Sequence, residues 1–243
     1  MEKRNVHFTL QGKGGVGKSY VATLLMQALK ENGHDPIGID TDPVNQTFAG
    51  YEALNVGKLK ILENNNIIPR AFDELMEKLL KNDNDFIVDN GASSFLPLSQ
   101  YLTENDAFQI LKDGNKDVWI HTVVTGGQAL RDTLSGLAAI CEQLSADVHL
   151  VVWLNEYFGK VEVDNKQFED MKVFQNNIEK ISGIVIIPKQ NESTFGEDVK
   201  QMVSSRKTFA EMADSDASIM VKSRLSRVKK TIFDQLKEIP GLL

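Results

Sequence analysis

The chain has 243 residues, 42% of them apolar and 25% charged, and a formal net charge of −7 at neutral pH. This length suits one α/β domain over residues 1–243, and the acidic balance argues against nonspecific nucleic-acid binding by the whole surface. The single cysteine, Cys141, excludes an internal disulfide, and no apolar run approaches the roughly 18 residues of a membrane span. Only a short charged stretch precedes the first apolar segment, so no secretory signal is expected, and we predict a soluble, cytoplasmic protein.

Apolar periodicity predicts alternating strands and helices along the chain. Strands are predicted at 6–10, 36–39, 86–88, 118–124, 149–154 and 184–187, and helices at 18–31, 68–80, 129–144 and 168–181. The polar stretches 156–167 and 189–198 are predicted to be surface loops. This alternation predicts an α/β fold of three layers, with a mostly parallel sheet covered by helices on both faces.

The segment after the first strand carries a phosphate-binding pattern. It consists of Gly12, Lys13, Gly14, Gly15, Val16, Gly17, Lys18 and Ser19. This spacing lets successive backbone N–H groups wrap a polyphosphate, places Lys18 on its terminal oxygens and offers the Ser19 hydroxyl to Mg²⁺. The pattern is that of a P-loop NTPase.

The same glycines also fit a dinucleotide-binding pattern. Gly12, Gly14 and Gly17 have the spacing G-x-G-x-x-G, and Asp40 follows about 20 residues later. That pattern does not require a lysine and a serine at the start of the helix, and it does not predict a second acidic residue after another apolar strand. We therefore favour the phosphate loop.

Three aspartates follow two further predicted strands. Asp89 ends the strand at 86–88, which lies beside the loop in a parallel sheet, and can anchor Mg²⁺, usually through water. Asp40 and Asp42 share one face of an extended segment, so both carboxylates can point toward the metal and the γ-phosphate. Ser19, Asp40 and Asp89 are the predicted metal residues, and Asp42 is predicted to orient the attacking water. A turn built around Asp42 and Pro43 is compatible with that role.

These segments together resemble a known family. The loop with Lys13 and Lys18, the run 40–43 and the strand ending at Asp89 are similar to the MinD/ParA/nitrogenase-iron-protein class of dimerising ATPases, whose deviant loop carries the second lysine. Within this class, segments 11–19, 40–45, 89–95 and 121–130 resemble conjugal-transfer proteins of broad-host-range plasmids, and the resemblance runs the length of the chain.

The resemblance implies an activity and a set of roles. It implies an ATPase switch that binds ATP and Mg²⁺ as a homodimer, with Lys13 reaching the phosphates of the opposite subunit and Lys18 and Asp42 completing the catalytic set. It also implies adenine contacts from Asn155, Pro188 and Lys189. The implied partner is a protein of the conjugation machinery.

Two departures from the class are visible. One member of the class binds an iron–sulfur cluster through cysteines at its dimer interface. This chain has only Cys141, which lies in a predicted packed helix face, so we expect no cluster. After Asp89 the chain reads Asn90, Gly91, Ala92, Ser93 where many relatives carry a Thr-Pro type switch. The coupling of this second switch is therefore open.

The histidines His7, His34, His121 and His149 lack metal-ligand spacing, so we expect packing or surface roles for them.

The C-terminal segment combines an apolar helical face with basic residues. The face is formed by Val221, Leu225, Val228, Ile232, Leu236 and Ile239. We favour a helix packed on the sheet over a membrane-binding or DNA-binding helix.

Three further functions of the whole chain remain open: a nucleotide-gated scaffold with little turnover, a ParA-like positioning or partition ATPase, and a small-molecule phosphotransferase or ligase.

Overall fold

The computed structural model describes residues 3–64, 66–145 and 147–243, and it is built around a seven-stranded sheet. In chain order the strands are β1 (Arg4–Thr9), β2 (Ile37–Asp40), β3 (Gly57–Lys58), β4 (Leu62–Glu63), β5 (Asn66–Ile67), β6 (Phe86–Asp89), β7 (Lys116–Thr125), β8 (His149–Asn155), β9 (Glu162–Val163), β10 (Lys166–Gln167) and β11 (Ile181–Ile187). The central sheet has the order β11-β8-β7-β1-β6-β2-β3, with every neighbouring pair parallel. The pairs β4–β5 and β9–β10 are small antiparallel hairpins.

Helices cover both faces of this sheet. They are α1 (Lys18–Glu31), α2 (Ala71–Lys81), α3 (Phe95–Glu104), α4 (Ala107–Asp113), α5 (Leu130–Gln143), α6 (Lys172–Gln175), α7 (Phe195–Ser204), α8 (Phe209–Asp214) and α9 (Ile219–Lys237). Alternate strand residues enter different cores, because successive side chains point to opposite faces of a sheet. In β6, Phe86 and Val88 pack with α2 to α5, whereas Ile87 packs with α1, α7, α8 and α9. The three-layer α/β prediction is confirmed.

The predicted helix at 168–181 is wrong. The segment instead forms short 3₁₀ turns at Phe168–Asp170 and Ile178–Lys180 on either side of α6. Phe168 is buried and anchors the segment to the core. Asn176 and Asn177 follow α6, and the Asn177 side chain donates to the Val173 carbonyl oxygen. Such side-chain bonds compete with helix propagation, which explains the early end.

The two predicted surface loops also contain regular structure. Residues 156–167 include the β9–β10 hairpin, and the predicted loop at 189–198 already contains the first turn of α7. Helices α3, α4 and α8 were not predicted. They have only 10, 7 and 6 residues, which is too short for apolar spacing to establish a helical period from the sequence.

The C-terminal helix α9 packs on the protein as predicted. Its residues Leu225, Val228, Ile232 and Leu236 are buried, and it contacts α1, α7, α8 and β11. Three of its basic residues are ion-paired, in the pairs Arg224–Asp198, Lys229–Glu31 and Lys230–Asp234. These pairs reduce the positive charge that α9 presents to an anionic surface. In the described part of the chain, no helix combines the length and apolarity that a membrane crossing requires.

A chain of buried aromatic rings crosses the sheet between β1, β7 and β8. Trp153 Nε1 donates to His121 Nδ1 at 3.0 Å, and His121 Nε2 lies 3.0 Å from His7 Nδ1. Because the indole only donates, Nδ1 of His121 must accept, so His121 carries its proton on Nε2 and donates it to His7. Both imidazoles must therefore be neutral. Burial lowers the pKa of His7 to about 4 and holds the pKa of His121 well below its usual range.

This pair predicts loss of stability in mild acid. The unfolded histidines bind protons near pH 6.5, whereas the folded ones do not, so the stabilisation is complete above pH 6.5 and is lost as the pH falls toward 4. At pH 5, His7 should lower the free energy of unfolding by about 2 kcal/mol relative to pH 7.5, and His121 should act in the same direction. Urea unfolding at both pH values measures the loss, and the NMR titration of His7 assigns it. A His7 midpoint near 6.5 in the folded protein would contradict this account.

Candidate functional site

The loop between β1 and α1 has the shape of an anion cradle. Gly15 and Gly17 adopt left-handed backbone angles, with φ of 74° and 109°, which side chains disfavour. Val16 between them is buried and holds the loop to the core. Helix α1 begins at Lys18, so its unpaired N–H groups and positive dipole end lie at the loop. Such an end binds phosphate.

Lys18 lies across the loop. Its side chain is mostly buried, and Nζ donates to the Lys13 carbonyl oxygen at 3.1 Å. Burial lowers the pKa of its ammonium group, while the carboxylates of Asp89 and Asp42 act to raise the pKa. The structure therefore brings Lys18 together with two of the three predicted aspartates.

Lys13 lies on the outer side of the same loop. Its Nζ is 2.7 Å from Oδ2 of Asp132 in the first turn of α5, and its side chain is 45% exposed. An exposed ion pair of this kind contributes about 0–1 kcal/mol. Lys13 can thus leave Asp132 at little cost. No sequence motif marks Asp132, because its contact with Lys13 joins segments 119 residues apart.

Asp89 and Ser19 form a compact oxygen-rich group. The Asp89 carboxylate is buried and accepts a hydrogen bond from the Thr9 hydroxyl at 2.5 Å, and the Ser19 hydroxyl lies near enough to lower its pKa. Burial raises the pKa of Asp89 to about 7, and these hydroxyls and Lys18 oppose the rise. Carboxylate and hydroxyl oxygens beside a phosphate cradle are ligands that suit Mg²⁺. The described residues contain no separate metal-binding cluster of three or more His, Cys, Asp or Glu.

Asp40 and Asp42 organise the loop that follows β2. Asp40 accepts from the backbone N–H groups of Asp42 and Ala49, both at 2.9 Å, so each of its carboxylate oxygens holds this loop. Oδ1 of Asp42 accepts from the N–H groups of Val44 and Asn45, as expected for a turn. The predicted metal role of Asp40 and water-orienting role of Asp42 stay predictions.

The predicted adenine residues meet at the same edge of the sheet. Asn155 at the end of β8 pairs in register with Ile187, which precedes Pro188 and Lys189. The Asn155 amide donates to the Val16 carbonyl oxygen at 2.9 Å and accepts from Tyr157. Through its hydrogen bond to Val16, Asn155 holds the phosphate loop at the end of β8. Its adenine contact, and those of Pro188 and Lys189, stay predictions.

A second support of the loop comes from α5. Gln11 is fully buried and donates through Nε2 to the carbonyl oxygens of Val123 and Thr133. A Cβ on Gly136 would overlap Oε1 of Gln11, so this glycine in the middle of α5 makes room for the glutamine. Neither residue was assigned a role from the sequence, because the contact joins segments more than a hundred residues apart.

Gly136→Ala should therefore destabilise the protein. Helix propensity alone would favour alanine by about 1 kcal/mol, but forcing Gln11 from its bonds should reverse the sign and cost about 1–2 kcal/mol overall. Urea unfolding compares this variant with Ser135→Ala, an exposed neighbour on the same helix. A Gly136→Ala variant more stable than the parent would show that Gln11 does not need this space.

Comparison with known proteins places this geometry in a family. A family model described as CobQ/CobB/MinD/ParA nucleotide binding domain matches residues 8–226. Two Escherichia coli proteins named Protein TraL are 47% and 46% identical, over 96% and 95% of this chain and 97% and 96% of their own lengths.

Solved structures show the same fold at low sequence identity. The MinD cell division protein of Aquifex aeolicus has a TM-score of 0.55 at 15% identity, covering 92% of this chain and 96% of that one. The septum site-determining protein MinD complexed with Mg-ADP, from Pyrococcus horikoshii, has a TM-score of 0.56 at 13% identity and covers 98% of both chains. The chain therefore belongs to the CobQ/CobB/MinD/ParA nucleotide-binding family of P-loop proteins and, within that family, groups with the TraL proteins.

Proposed function

We propose that this chain, as one domain over residues 1–243, is an ATPase switch that binds ATP with Mg²⁺ and dimerises across the nucleotide. The observation that carries the proposal is the arrangement of Lys18, Ser19 and Asp89 around a loop with two left-handed glycines. In this arrangement, Lys18 and the loop amides bind phosphate. Ser19 and Asp89 hold Mg²⁺, together with Asp40. The metal would neutralise charge on the phosphates during transfer.

Asp42 and Lys13 supply the remaining roles. Asp42 orients the attacking water, since phosphoryl transfer requires positioning and charge neutralisation more than covalent chemistry. Lys13 neutralises charge in trans, and its exposed, weakly held position beside Asp132 supports this role. Asn155, Pro188 and Lys189 contact the adenine side of the nucleotide. Hydrolysis would then reset an association between subunits.

Conjugal plasmid transfer is the proposed process, and a protein of the transfer machinery is the proposed client. The 47% identity to TraL over nearly the full length of both chains supports this assignment. The buried, unpaired Cys141 suits the reducing cytoplasm, which is the proposed location. A scaffold that binds ATP with little turnover is the second candidate, since the same side chains serve binding and hydrolysis.

The nucleotide claim is tested by replacing Lys18. Lys18→Ala removes the charged donor to the terminal phosphates and should weaken Mg-ATP binding by about 100-fold or more in calorimetry. Lys30→Ala, at the exposed far end of the same helix, is the matched control and should bind as the parent does. Equal ATP affinity of the Lys18→Ala variant and the parent would contradict the proposed site.

The switch claim is tested by mass and phosphate release. Light scattering should give the 27.1 kDa monomer without nucleotide and about twice that mass with Mg-ATP. Phosphate release then separates the two candidates: steady turnover supports the ATPase switch, and dimerisation without turnover supports the scaffold. A monomer that hydrolyses ATP would contradict the dimeric site.

A further inference from the structure

Asn90 connects two segments that flank the proposed nucleotide site. It directly follows Asp89 and is 1% exposed. Its side-chain oxygen receives hydrogen bonds from the hydroxyl of Thr41 at 3.2 Å and from the hydroxyl of Ser94 at 2.6 Å. Thr41 belongs to the loop after β2, and Ser94 directly precedes α3. One buried carboxamide thus joins both segments.

The Thr41 side of this link fixes the position of Asp42. The backbone N–H of Thr41 donates to the Asp89 carbonyl oxygen at 2.9 Å, and the single Thr41 hydroxyl proton is shared between this oxygen at 3.0 Å and Oδ1 of Asn90 at 3.2 Å. Since Asp42 is the next residue, its backbone has little freedom once Thr41 is held at these points. Asp42 is the residue proposed to orient the attacking water.

The residue after Asn90 contacts Asp42 directly. A Cβ on Gly91 would lie 2.6 Å from Cγ of Asp42 and 2.8 and 2.9 Å from its two oxygens. Gly91 has no left-handed φ, so an alanine there is compatible with the backbone and only its methyl group is excluded. The Asp42 carboxylate therefore packs on the Gly91 backbone.

The Ser94 side of the link reaches the phosphate loop. Phe95, the first residue of α3, packs against Gly12, where a Cβ would lie 3.2 Å from its ring. The start of α3 is thereby in contact with the loop that binds phosphate, and Asn90 connects it to the loop that carries Asp42.

The other end of the carboxamide argues for a role beyond stability. Within the described part of the chain, the buried Nδ2 of Asn90 has no hydrogen-bond acceptor. An unpaired buried donor lowers stability, so a purely structural position would be better served by a side chain without it.

We propose that Asn90 is a positioning residue that couples α3 to the loop after β2 and sets the place of the Asp42 carboxylate on Gly91. The proposal rests on the proposed ATPase function, and it assigns to Asn90 and Gly91 the coupling for which many relatives carry a Thr-Pro type switch. Asn90 touches no phosphate in this scheme. It acts through Thr41 and Ser94.

The test is a double-mutant cycle on the full-length protein. Thr41→Val keeps the side-chain shape and Ser94→Ala removes one oxygen, so both are mild changes. Each should lower kcat for ATP about 10-fold and leave KM within about threefold, because the phosphate loop is intact, and misplacing a reacting group can cost about 100-fold. The double variant and Asn90→Ala should each lose about as much as one single variant, since both hydroxyls act through one oxygen.

Matched controls separate this effect from general damage to the fold. Thr103→Val and Ser99→Ala make the same substitutions on α3 away from the site, where the Thr103 hydroxyl bonds the Ser99 carbonyl oxygen, and should leave kcat unchanged. Gly91→Ala should lower kcat with KM unchanged, because its methyl group displaces Asp42, whereas Gly57→Ala meets only an ordinary contact at 3.6 Å.

The outcomes distinguish this proposal from the ATPase function itself. Unchanged kcat in Thr41→Val, Ser94→Ala and Gly91→Ala, with ATP hydrolysis by the parent, overturns the coupling and leaves the ATPase standing. Multiplicative losses in the double variant also overturn it, since the hydroxyls then act independently. A parent protein that binds no ATP overturns both proposals.

Discussion

Replacing Lys13 with alanine is expected to lower ATP turnover by about 10³-fold while ATP still binds. The reason is that the two lysines lie in different surroundings. Lys18 is buried near Asp89 and Asp42, whereas Lys13 is partly exposed and forms a surface ion pair with Asp132. A cation that enters the partner's site neutralises charge in the transition state and contributes little to ground-state binding. Single-turnover phosphate release and calorimetry measure the two quantities separately.

Two variants sharpen the result for Lys13. Lys30→Ala removes a lysine from the same region of sequence and should leave turnover unchanged. Asp132→Asn removes the intrasubunit partner of Lys13 and should leave turnover equal to or greater than that of the parent, since the surface pair contributes at most about 1 kcal/mol. Normal hydrolysis by the Lys13→Ala variant would remove the basis for a two-subunit site.

Replacing Asp42 is the second change with a large expected effect. Asp42→Ala should lower turnover by about 10²–10⁴-fold, the range expected when a positioned base is removed, and should still form the ATP-dependent dimer. Because Oδ1 of Asp42 also receives the N–H groups of Val44 and Asn45, Asp42→Asn is the better-matched variant: it keeps an acceptor for the turn and loses the charge. A variant that stays monomeric with ATP would indicate that Asp42 mainly builds the loop.

The sequence predicted the parts of the site that arise from local pattern. The glycine spacing of residues 12–19 and the helix beginning at Lys18 are local, and Asp89 follows from a short apolar strand. The parallel sheet then explains their proximity, because Thr9, Asp89 and Asp40 lie at one level across β1, β6 and β2. The predicted α/β fold rests on the same alternation of strands and helices.

What the sequence did not predict depends on contacts between distant segments. The pairing of Lys13 with Asp132, the space that Gly136 leaves for Gln11 and the link from Thr41 through Asn90 to Ser94 have no short sequence motif. The prediction of a helix at 168–181 failed for a different reason: its apolar spacing is compatible with a helix, but the Asn177 side chain bonds the Val173 carbonyl oxygen and α6 ends after one turn.

Mixing two inactive variants tests the central claim, a nucleotide site built from two subunits, most directly. In a mixed dimer of Lys13→Ala and Asp42→Ala, the site with intact Asp42 receives Lys13 from the other subunit, whereas the second site lacks both. If equal amounts are combined as monomers before Mg-ATP is added, half of the dimers are mixed and each has one working site, so phosphate release should recover to about a quarter of the parent rate. A mixture as inactive as either variant alone would show that Lys13 does not act across the dimer.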